Sequence, residues 1–404
     1  MFWEKQFEDY IGKMIRFNVP VRLGLWNGRE VALGPEPRVK LAIKSPGALR
    51  HLLRPSMATL GQAYVDGELD VEGRVDDIFD VVVQLTANAS GTGNSGQARR
   101  AHHFGRHNKK ADAEAISYHY DVSNEFYSLW LDRAMVYSCA YFKHEDDSLE
   151  KAQEQKLDHI LTKIQARPGQ TLLDIGCGWG ALVMRAASKF GVKALGVTLS
   201  KNQYELARQR VAEAGLADKV EIRLQDYREV SGHFDRITSV GMFEHVGLKN
   251  LRGYFAKIHD LLVDGGVCMN HGITSTDAES AQSPFGGGDF IERYVFPQGE
   301  VPHIGLTLKD MTAAGLEAMD VENLRRHYAL TTQHWSRRFE DNLDKIRDMV
   351  GEKRFRIWRA YLAGCAYGFA NNWISLHQVV AIKAGGPALN PLPLTRDYMY
   401  PTGA

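Results

Sequence analysis

The apolar positions of this chain repeat most regularly from Gln170 onward. Short apolar runs alternate there with amphipathic stretches such as residues 203–214 and 251–262. Strands that alternate with helices indicate a parallel sheet with helices on both faces. The pattern therefore predicts an α/β fold with strands at residues 170–176, 192–199, 220–226, 234–241 and 266–273, helices within 335–372, and a final strand over 378–383.

A separate small α+β unit is predicted for residues 1–90, where short strand-like runs such as residues 39–43 follow an apolar stripe at helical spacing. The stripe either covers the unit's own core, which is the commoner use, or lies in a membrane interface. Its members are Trp3, Phe7, Ile11 and Met14.

Residues 89–96 are small and polar, which is typical of a linker, and the densest basic run of the chain follows them within the predicted linker 91–112. This basic run contains Arg99, Arg100, Arg106, Lys109 and Lys110, and it is either a solvated linker or a contact with an anionic surface. The predicted domains are therefore 1–90, 91–112, a catalytic domain over 113–383, and a Pro- and Gly-rich tail over 384–404 that we expect to be poorly ordered.

A Gly- and aromatic-rich stretch lies between residues 274 and 306. It is long and has no clear periodicity, which is typical of functional loops. We therefore predict that it forms a lid.

Composition excludes several classes of protein. The 49 basic and 49 acidic side chains give no net field that would gather nucleic acid. The four cysteines form no CxxC pair, so neither a metal site nor a disulfide framework is expected, and a reducing cytoplasm fits best. The acidic N-terminus argues against a signal peptide, and no apolar run of 18 residues is present. We expect a cytoplasmic protein that reaches any lipid from the membrane surface.

The first strand of the regular region ends in a glycine-rich turn, Asp174-Ile175-Gly176-Cys177-Gly178-Trp179-Gly180. Glycines at such a turn let the backbone approach a ligand, and Asp174 supplies an acceptor beside the helix start. The GxGxG spacing differs from the GxGxxG spacing of dinucleotide sites. The DxGxGxG form is typical of class I S-adenosylmethionine methyltransferases, which favours methyl transfer over hydride transfer.

Further cofactor positions follow the second and third strands. The second strand lacks a terminal acid, so hydroxyl and amide groups have to meet the ribose and adenosine. Asp226 ends the third strand and is placed to accept from the adenine amino group. The cofactor positions in these two turns are Thr198, Leu199, Ser200, Gln203, Gln225 and Asp226.

Several sequence words together resemble the cyclopropane-fatty-acyl-phospholipid synthases, a group that includes the mycolic acid cyclopropane synthases. The words occur in family order between about residues 115 and 383, which is more specific than any one of them. They are HYDVSN at 119–124, YSCAYF at 137–142, the loop 174–180, residues 198–203, GMFEHVG at 241–247, and GCA at 364–366.

The resemblance implies a Rossmann-like class I methyltransferase sheet and a reaction in which a cis double bond takes the methyl group of S-adenosylmethionine and closes to a cyclopropane. It implies bicarbonate as the base, and it places Tyr137 and Ser138 at the methionine carboxylate. The residues implied around the anion are Glu244, Tyr328, His271 and backbone groups at Cys139 and Ile273. Cys365 is the cysteine of the GCA word, for which a structural role is favoured.

The N-terminal unit resembles the small module of the phospholipid-acting members. The resemblance therefore implies unsaturated phospholipid as substrate, a homodimer, and association with the inner face of the membrane through basic residues. Two alternatives stay open: a fatty-acid methyltransferase that makes methylene- or methyl-branched chains, and a lipid-binding protein without catalysis.

Overall fold

The computed structural model describes residues 18–53, 55–89, 122–279, 287–296, 299–383 and 390–400, together with Asp9, Ile11, Gly12 and Ile15. The chain divides into two compact units. Unit 1 takes its described residues from Met1–His103, Gln282–Pro297 and Asn342–Gly368. Unit 2 takes its described residues from Phe104–Ala281, Gln298–Asp341 and Phe369–Ala404.

Each unit contains one β-sheet. The strands of unit 1 are β1 Val21–Gly24, β2 Glu30–Ala32, β3 Val39–Ile43 and β4 Leu69–Glu72. The strands of unit 2 are β5 Thr171–Ile175, β6 Lys193–Thr198, β7 Val220–Leu224, β8 Phe234–Val240, β9 Leu262–Ser275, β10 Leu316–Asn323 and β11 Ile374–Lys383.

The helices of the described residues are numbered in chain order. They are α1 Arg50–Leu53, α2 Met57–Val65, α3 Val75–Ala89, α4 Asn124–Ser128, α5 Leu149–Lys163, α6 Ala181–Phe190, α7 Lys201–Glu213, α8 Leu251–Leu261, α9 Gly287–Tyr294, α10 Ile304–Ala313, α11 Arg325–Glu340, α12 Leu343–Val350 and α13 Glu352–Ala370.

Unit 1 is an α+β unit whose sheet has the order β2-β1-β3-β4. The strand expected at residues 39–43 is β3, whose alternating side chains are buried in the core of the unit. Ile11 of the predicted apolar stripe belongs to this core. Trp3, Phe7 and Met14 lie outside the described residues, as do the linker and the basic run.

The sheet of unit 2 has the order β10-β11-β9-β8-β5-β6-β7. The strands from β5 to β9 pair in parallel, as the sequence predicts, whereas β10 and β11 pair antiparallel. Strand β10 is not predicted from the sequence, because this edge strand is acidic and half-exposed and so has no continuous apolar run. Apolar clusters cover both faces of the sheet, which confirms the α/β class.

Two segments that lack clear periodicity in the sequence contain ordered structure where the structure describes them, and the lid role stays a prediction. Residues 287–294 of the predicted lid form helix α9, and the aromatic ring of Phe290 on this helix lies against Gly61 of α2. Residues 390–400 of the predicted loose tail pack onto unit 2, where the Tyr398 hydroxyl donates to the Lys163 carbonyl at 3.1 Å. No helix of the described residues is long and apolar enough to cross a bilayer.

Candidate active site

The glycine-rich turn has the backbone geometry that its glycines allow. Gly176 has φ = +79°, and a Cβ there would lie 3.2 Å from the Met242 side chain. Gly180 caps the start of α6 with φ = +85°. The amides of Gly176 and Cys177 both donate to the Val197 carbonyl at 3.0 Å, which ties this turn to the end of β6. The turn therefore leaves an open approach at the carboxyl edge of the sheet, where open α/β folds bind ligands.

Asp174 is a buried acceptor at the end of β5. Its Oδ1 accepts a hydrogen bond from the Thr238 hydroxyl at 2.7 Å. Burial raises the pKa of Asp174 to about 6, and the nearby charge of Lys156 works against that rise. The carboxylate is thus held out of water and prepared for a polar or cationic ligand group.

The turn after β6 is fixed by its own side chains. The Thr198 hydroxyl donates to Gln203 Oε1 at 2.9 Å, and the Ser200 amide donates to the Thr198 hydroxyl at 3.2 Å. Ser200 caps α7 through the Gln203 amide. Ser200 therefore acts in forming the turn, while Thr198 and Gln203 face the cleft.

Lys156 is a cleft residue that the sequence analysis missed. It lies on α5 with 2% of its surface exposed, and its Nζ donates to the Ser138 hydroxyl at 2.9 Å. Burial lowers its pKa to about 8, so the side chain is a cation at neutral pH. The helical pattern alone marks a lysine as solvated, which is why only its burial reveals it.

Asn124, the last residue of the HYDVSN word, connects two loops of the same site. Asn124 Oδ1 accepts from the indole of Trp179 at 2.8 Å, and its amide donates to the Asn202 carbonyl at 3.4 Å. One side chain therefore joins the turns that follow β5 and β6. This contact explains why separate sequence words belong to one site.

A single cleft gathers most of the predicted cofactor positions. Asp226 is not part of its lining, and its carboxylate accepts from the guanidinium of Arg228 at 2.6 to 3.1 Å. Gly180 and Ser200 form the adjacent helix caps and are not part of the lining. The predicted positions that line the cleft are Tyr137, Ser138, Asp174, Gly176, Gly178, Thr198, Leu199, Gln203 and Gln225.

Glu244 lies beside β9, close to this cleft. Strand β8 pairs with β9 only as far as Val240 and His271, so the Ile273 amide has no partner on β8 and donates to Glu244 Oε1 at 2.7 Å. The other oxygen, Oε2, is buried without a hydrogen-bond partner among the described residues. Burial raises the pKa of Glu244 to about 7, which makes a neutral carboxyl accessible near neutral pH.

His271 is the second buried group with an unused polar atom. It has 1% of its surface exposed, and its Nε2 has no partner among the described residues. Burial lowers the pKa of His271 well below its usual value. The imidazole is therefore neutral and can donate one hydrogen bond without carrying charge.

The remaining predicted residues lie near this edge in different ways. Cys139 is buried, and its thiol points to the carbonyls of Ala140 and Leu324. Burial raises the pKa of this thiol far above its usual range, so it is no nucleophile. Tyr328 is buried on α11, one turn after Leu324. The Leu324 amide donates to the Leu376 carbonyl, and Leu376 pairs in register with Ile273 of β9.

Cys365 lies in the part of α13 that belongs to unit 1, whereas Glu244 and His271 belong to unit 2. The residue is partly exposed, but its thiol is enclosed, and this burial raises its pKa to about 12. The side chain is therefore an unreactive thiol at neutral pH. Within the described part of the chain, no cluster of three or more His, Cys, Asp or Glu side chains could hold a metal ion.

A seven-strand sheet with a glycine-rich cleft after its first parallel strand defines a class I S-adenosylmethionine-dependent methyltransferase. The mycolic acid cyclopropane synthase CmaA1, solved with SAH and CTAB, is 35% identical with a TM-score of 0.65, covering 67% of this chain and 98% of that one. The cyclopropane synthase MmaA2 from Mycobacterium tuberculosis also has a TM-score of 0.65, at 33% identity and the same coverage.

The chain belongs to the mycolic acid cyclopropane synthetase family, whose sequence profile matches residues 107–379. Residues 11–92 match a second profile, Domain of unknown function (DUF7884). A probable fatty acid methyltransferase of Pseudomonas putida is 47% identical over 95% of this chain and 97% of its own length. The cyclopropane-fatty-acyl-phospholipid synthase of Escherichia coli K12 is 35% identical over 87% of this chain and 89% of its own length.

Replacing Lys156 by Met should weaken binding of S-adenosylmethionine about tenfold or more, since a hydrogen bond to a charged group contributes about 1.5–3 kcal/mol. The reason is that the ammonium supports Ser138, the expected contact of the ligand carboxylate. Titration calorimetry should show a much smaller loss of affinity for 5′-methylthioadenosine, because this ligand lacks that carboxylate. Equal losses for both ligands would contradict this role.

Replacing Gly272 by Ala should destabilise the protein and displace Glu244. The new Cβ would overlap the Phe243 ring and approach Glu244 Oε1 to 3.1 Å. Such overpacking costs about 1–3 kcal/mol, visible as a lower melting temperature together with lost activity. Gly253→Ala is the matched control, because this exposed glycine of α8 has open space around it and should melt at the same or a higher temperature.

Proposed function

We propose that this methyltransferase adds the methyl carbon of S-adenosylmethionine to the cis double bond of unsaturated phospholipid acyl chains and closes a cyclopropane ring, with bicarbonate as base. The observation that carries the proposal is the pair of buried, unused polar atoms, Glu244 Oε2 and His271 Nε2, at the carboxyl edge of the sheet. Buried polar atoms in folded proteins normally have partners. A small oxyanion is a partner that could accept from a neutral Glu244 carboxyl and from a neutral His271 imidazole.

The reaction balances with one proton acceptor. S-adenosylmethionine supplies an electrophilic methyl carbon, to which the π electrons of the double bond form a new C–C bond while the S–C bond breaks. Bicarbonate supplies the base that takes one proton from the added carbon. The electrons of that C–H bond then close the ring, and S-adenosylhomocysteine and the cyclopropane chain are released.

The protein's own groups suit an anion that has to remain basic. Glu244 in its neutral form donates through Oε2 while the Ile273 amide holds Oε1. His271 is neutral as well, so neither side chain brings a full positive charge that would reduce the basicity of the anion. The Ile273 amide is occupied by Glu244, so its effect on the anion passes through that carboxyl. Tyr328 and the backbone at Cys139 complete the proposed set.

The phospholipid substrate is supported by likeness along nearly the whole chain. The Escherichia coli phospholipid synthase is similar across 87% of this chain, more than the catalytic region alone. The family implies that unit 1 and the basic run Arg99 to Lys110 meet the membrane surface, and that the protein is a homodimer.

A second candidate is a fatty-acid methyltransferase that makes methyl-branched or methylene-bearing chains from the same alkene. It is favoured by the 47% identity with the Pseudomonas putida relative, which carries that name. The two functions share the cofactor and the electrophilic step. They differ in the fate of the cation: loss of a proton from the added carbon closes a ring or, after a hydride shift, leaves a methylene group, whereas a saturated methyl branch requires a hydride from a separate reductant.

The product of purified protein acting on unsaturated phospholipid vesicles separates these functions. Incubation with S-adenosylmethionine should raise the acyl mass by one CH₂ unit, and chemical derivatisation followed by mass spectrometry should identify a cyclopropane. Removing bicarbonate from the buffer should slow turnover, and adding it back should restore the rate. A branched or methylene product would establish the second candidate, and no product at all would refute both.

Glu244→Ala should reduce turnover about 100-fold or more while leaving binding of S-adenosylmethionine nearly unchanged, because a preorganised donor to an anion is worth about 10²–10³ in rate. Glu244→Gln keeps a neutral donor beside the Ile273 amide and should retain more activity than the alanine variant. Release of S-adenosylhomocysteine measures both. Equal activity of the wild type and the alanine variant would contradict the anion assignment.

A further inference from the structure

A buried polar row crosses three strands beside the proposed anion site. Glu322 on β10 pairs in register with Gln378 on β11, and Gln378 pairs in register with His271 on β9. Gln378 is fully buried and His271 nearly so. The side-chain amide of Gln378 contacts His271 Nδ1 at 3.1 Å. Gln378 and His271 have to be satisfied internally because water does not reach them, whereas Glu322 is partly exposed.

Lys163 determines which way the Gln378 amide points. This fully buried lysine ends α5, and its Nζ donates to Glu322 Oε2 at 2.6 Å and to Gln378 Oε1 at 3.2 Å. An ammonium has donors and no acceptor, so the amide atom that faces it is the oxygen. The amide nitrogen of Gln378 therefore faces His271.

We propose that Lys163 and Gln378 are positioning residues that hold His271 in the tautomer with its proton on Nε2. This inference rests on the proposed anion site. The Gln378 amide donates to Nδ1, and a neutral imidazole that accepts at Nδ1 carries its hydrogen at Nε2. Nε2 is the atom without a partner among the described residues. The row thus turns His271 into an outward donor for an oxyanion.

The charges around His271 leave it neutral in this arrangement. Lys156 and Lys163 on α5 oppose its protonation, Glu322 on β10 favours it, and Glu244 lies beside the next two residues of β9. Burial outweighs the favourable charge of Glu322. Orientation of a neutral ring then depends on the amide, since the contact of Nδ1 among the described residues is the Gln378 amide and not a charged group.

Gln378→Glu tests the orientation directly. At high pH a carboxylate at this position would accept from Nδ1–H, move the proton off Nε2 and turn an acceptor toward the anion. At low pH either the new carboxyl or the imidazole gains a proton, and Nε2–H returns. Turnover should fall about 10- to 100-fold at high pH, as for other disrupted orienting partners, and recover toward wild type as pH falls.

Gln378→Leu is the matched control, because it removes the amide without adding a titrating group. Its activity should fall, but the ratio to wild type should not recover at low pH. Release of S-adenosylhomocysteine follows turnover whichever acyl product forms. Circular dichroism and binding of S-adenosylmethionine verify that both variants fold.

The tautomer is read by ¹⁵N NMR of protein labelled at histidine, with the His271 signal assigned from its absence in His271→Gln. Nε2–H in the wild type and Nδ1–H in Gln378→Glu at high pH are the expected results. Nδ1–H in the wild type, or a wild-type tautomer and pH profile in Gln378→Glu, would overturn the proposal. If the tautomer is as expected but turnover does not depend on bicarbonate, the proposed anion site is wrong, whereas the proposed orientation of His271 by Gln378 is supported.

Discussion

The register between β9 and its neighbours determines where His271 and the amide that holds Glu244 lie in the proposed anion site. His271 stands opposite Val240 of β8 on one side and Gln378 of β11 on the other. A slip of one residue would turn His271 to the other face of the sheet, because side chains alternate along a strand. The same register ends the pairing with β8 at His271, which leaves the Ile273 amide for Glu244. The donor and the carboxyl are therefore positioned by one alignment of strands.

Burial away from water sets the protonation states of the two side chains that this strand register positions, Glu244 and His271. Burial raises the pKa of Glu244 to about 7 and lowers the pKa of His271, so it favours the neutral form of both. Neutral donors hold an anion by direction more than by charge, which leaves its basicity available. The cofactor cleft uses burial differently, because Lys156 keeps its charge beside Ser138 and Asp174. Under the proposed function, two sites of one unit thus separate the binding of a charged ligand from the removal of a proton.

The sequence predicted the parallel strands and the cofactor turn because both leave strong local patterns. Continuous apolar runs indicate doubly covered strands, and glycines at positive φ mark the turn. Glu244 and His271 came from the family resemblance, since an isolated glutamate or histidine has no local signal. Lys156, Lys163 and Gln378 were not found, because in sequence each resembles an ordinary surface side chain. Only the long-range pairing of α5, β9, β10 and β11 shows that they are buried.

The buried charges around Lys163 favour an orienting role over a purely stabilising one. Removing two or more charges from water is expensive, and replacing a buried ion pair by apolar side chains often leaves a protein equally or more stable. Lys163 nevertheless pairs with Asp320 and Glu322, and Arg396 of the C-terminal segment reaches Asp320 at 2.7 Å. An ion-pair network that contributes little stability can still determine the orientation of the Gln378 amide, because the Lys163 ammonium has no acceptor and so only the amide oxygen can face it. The orientation of one amide then transfers that constraint across the sheet to the imidazole.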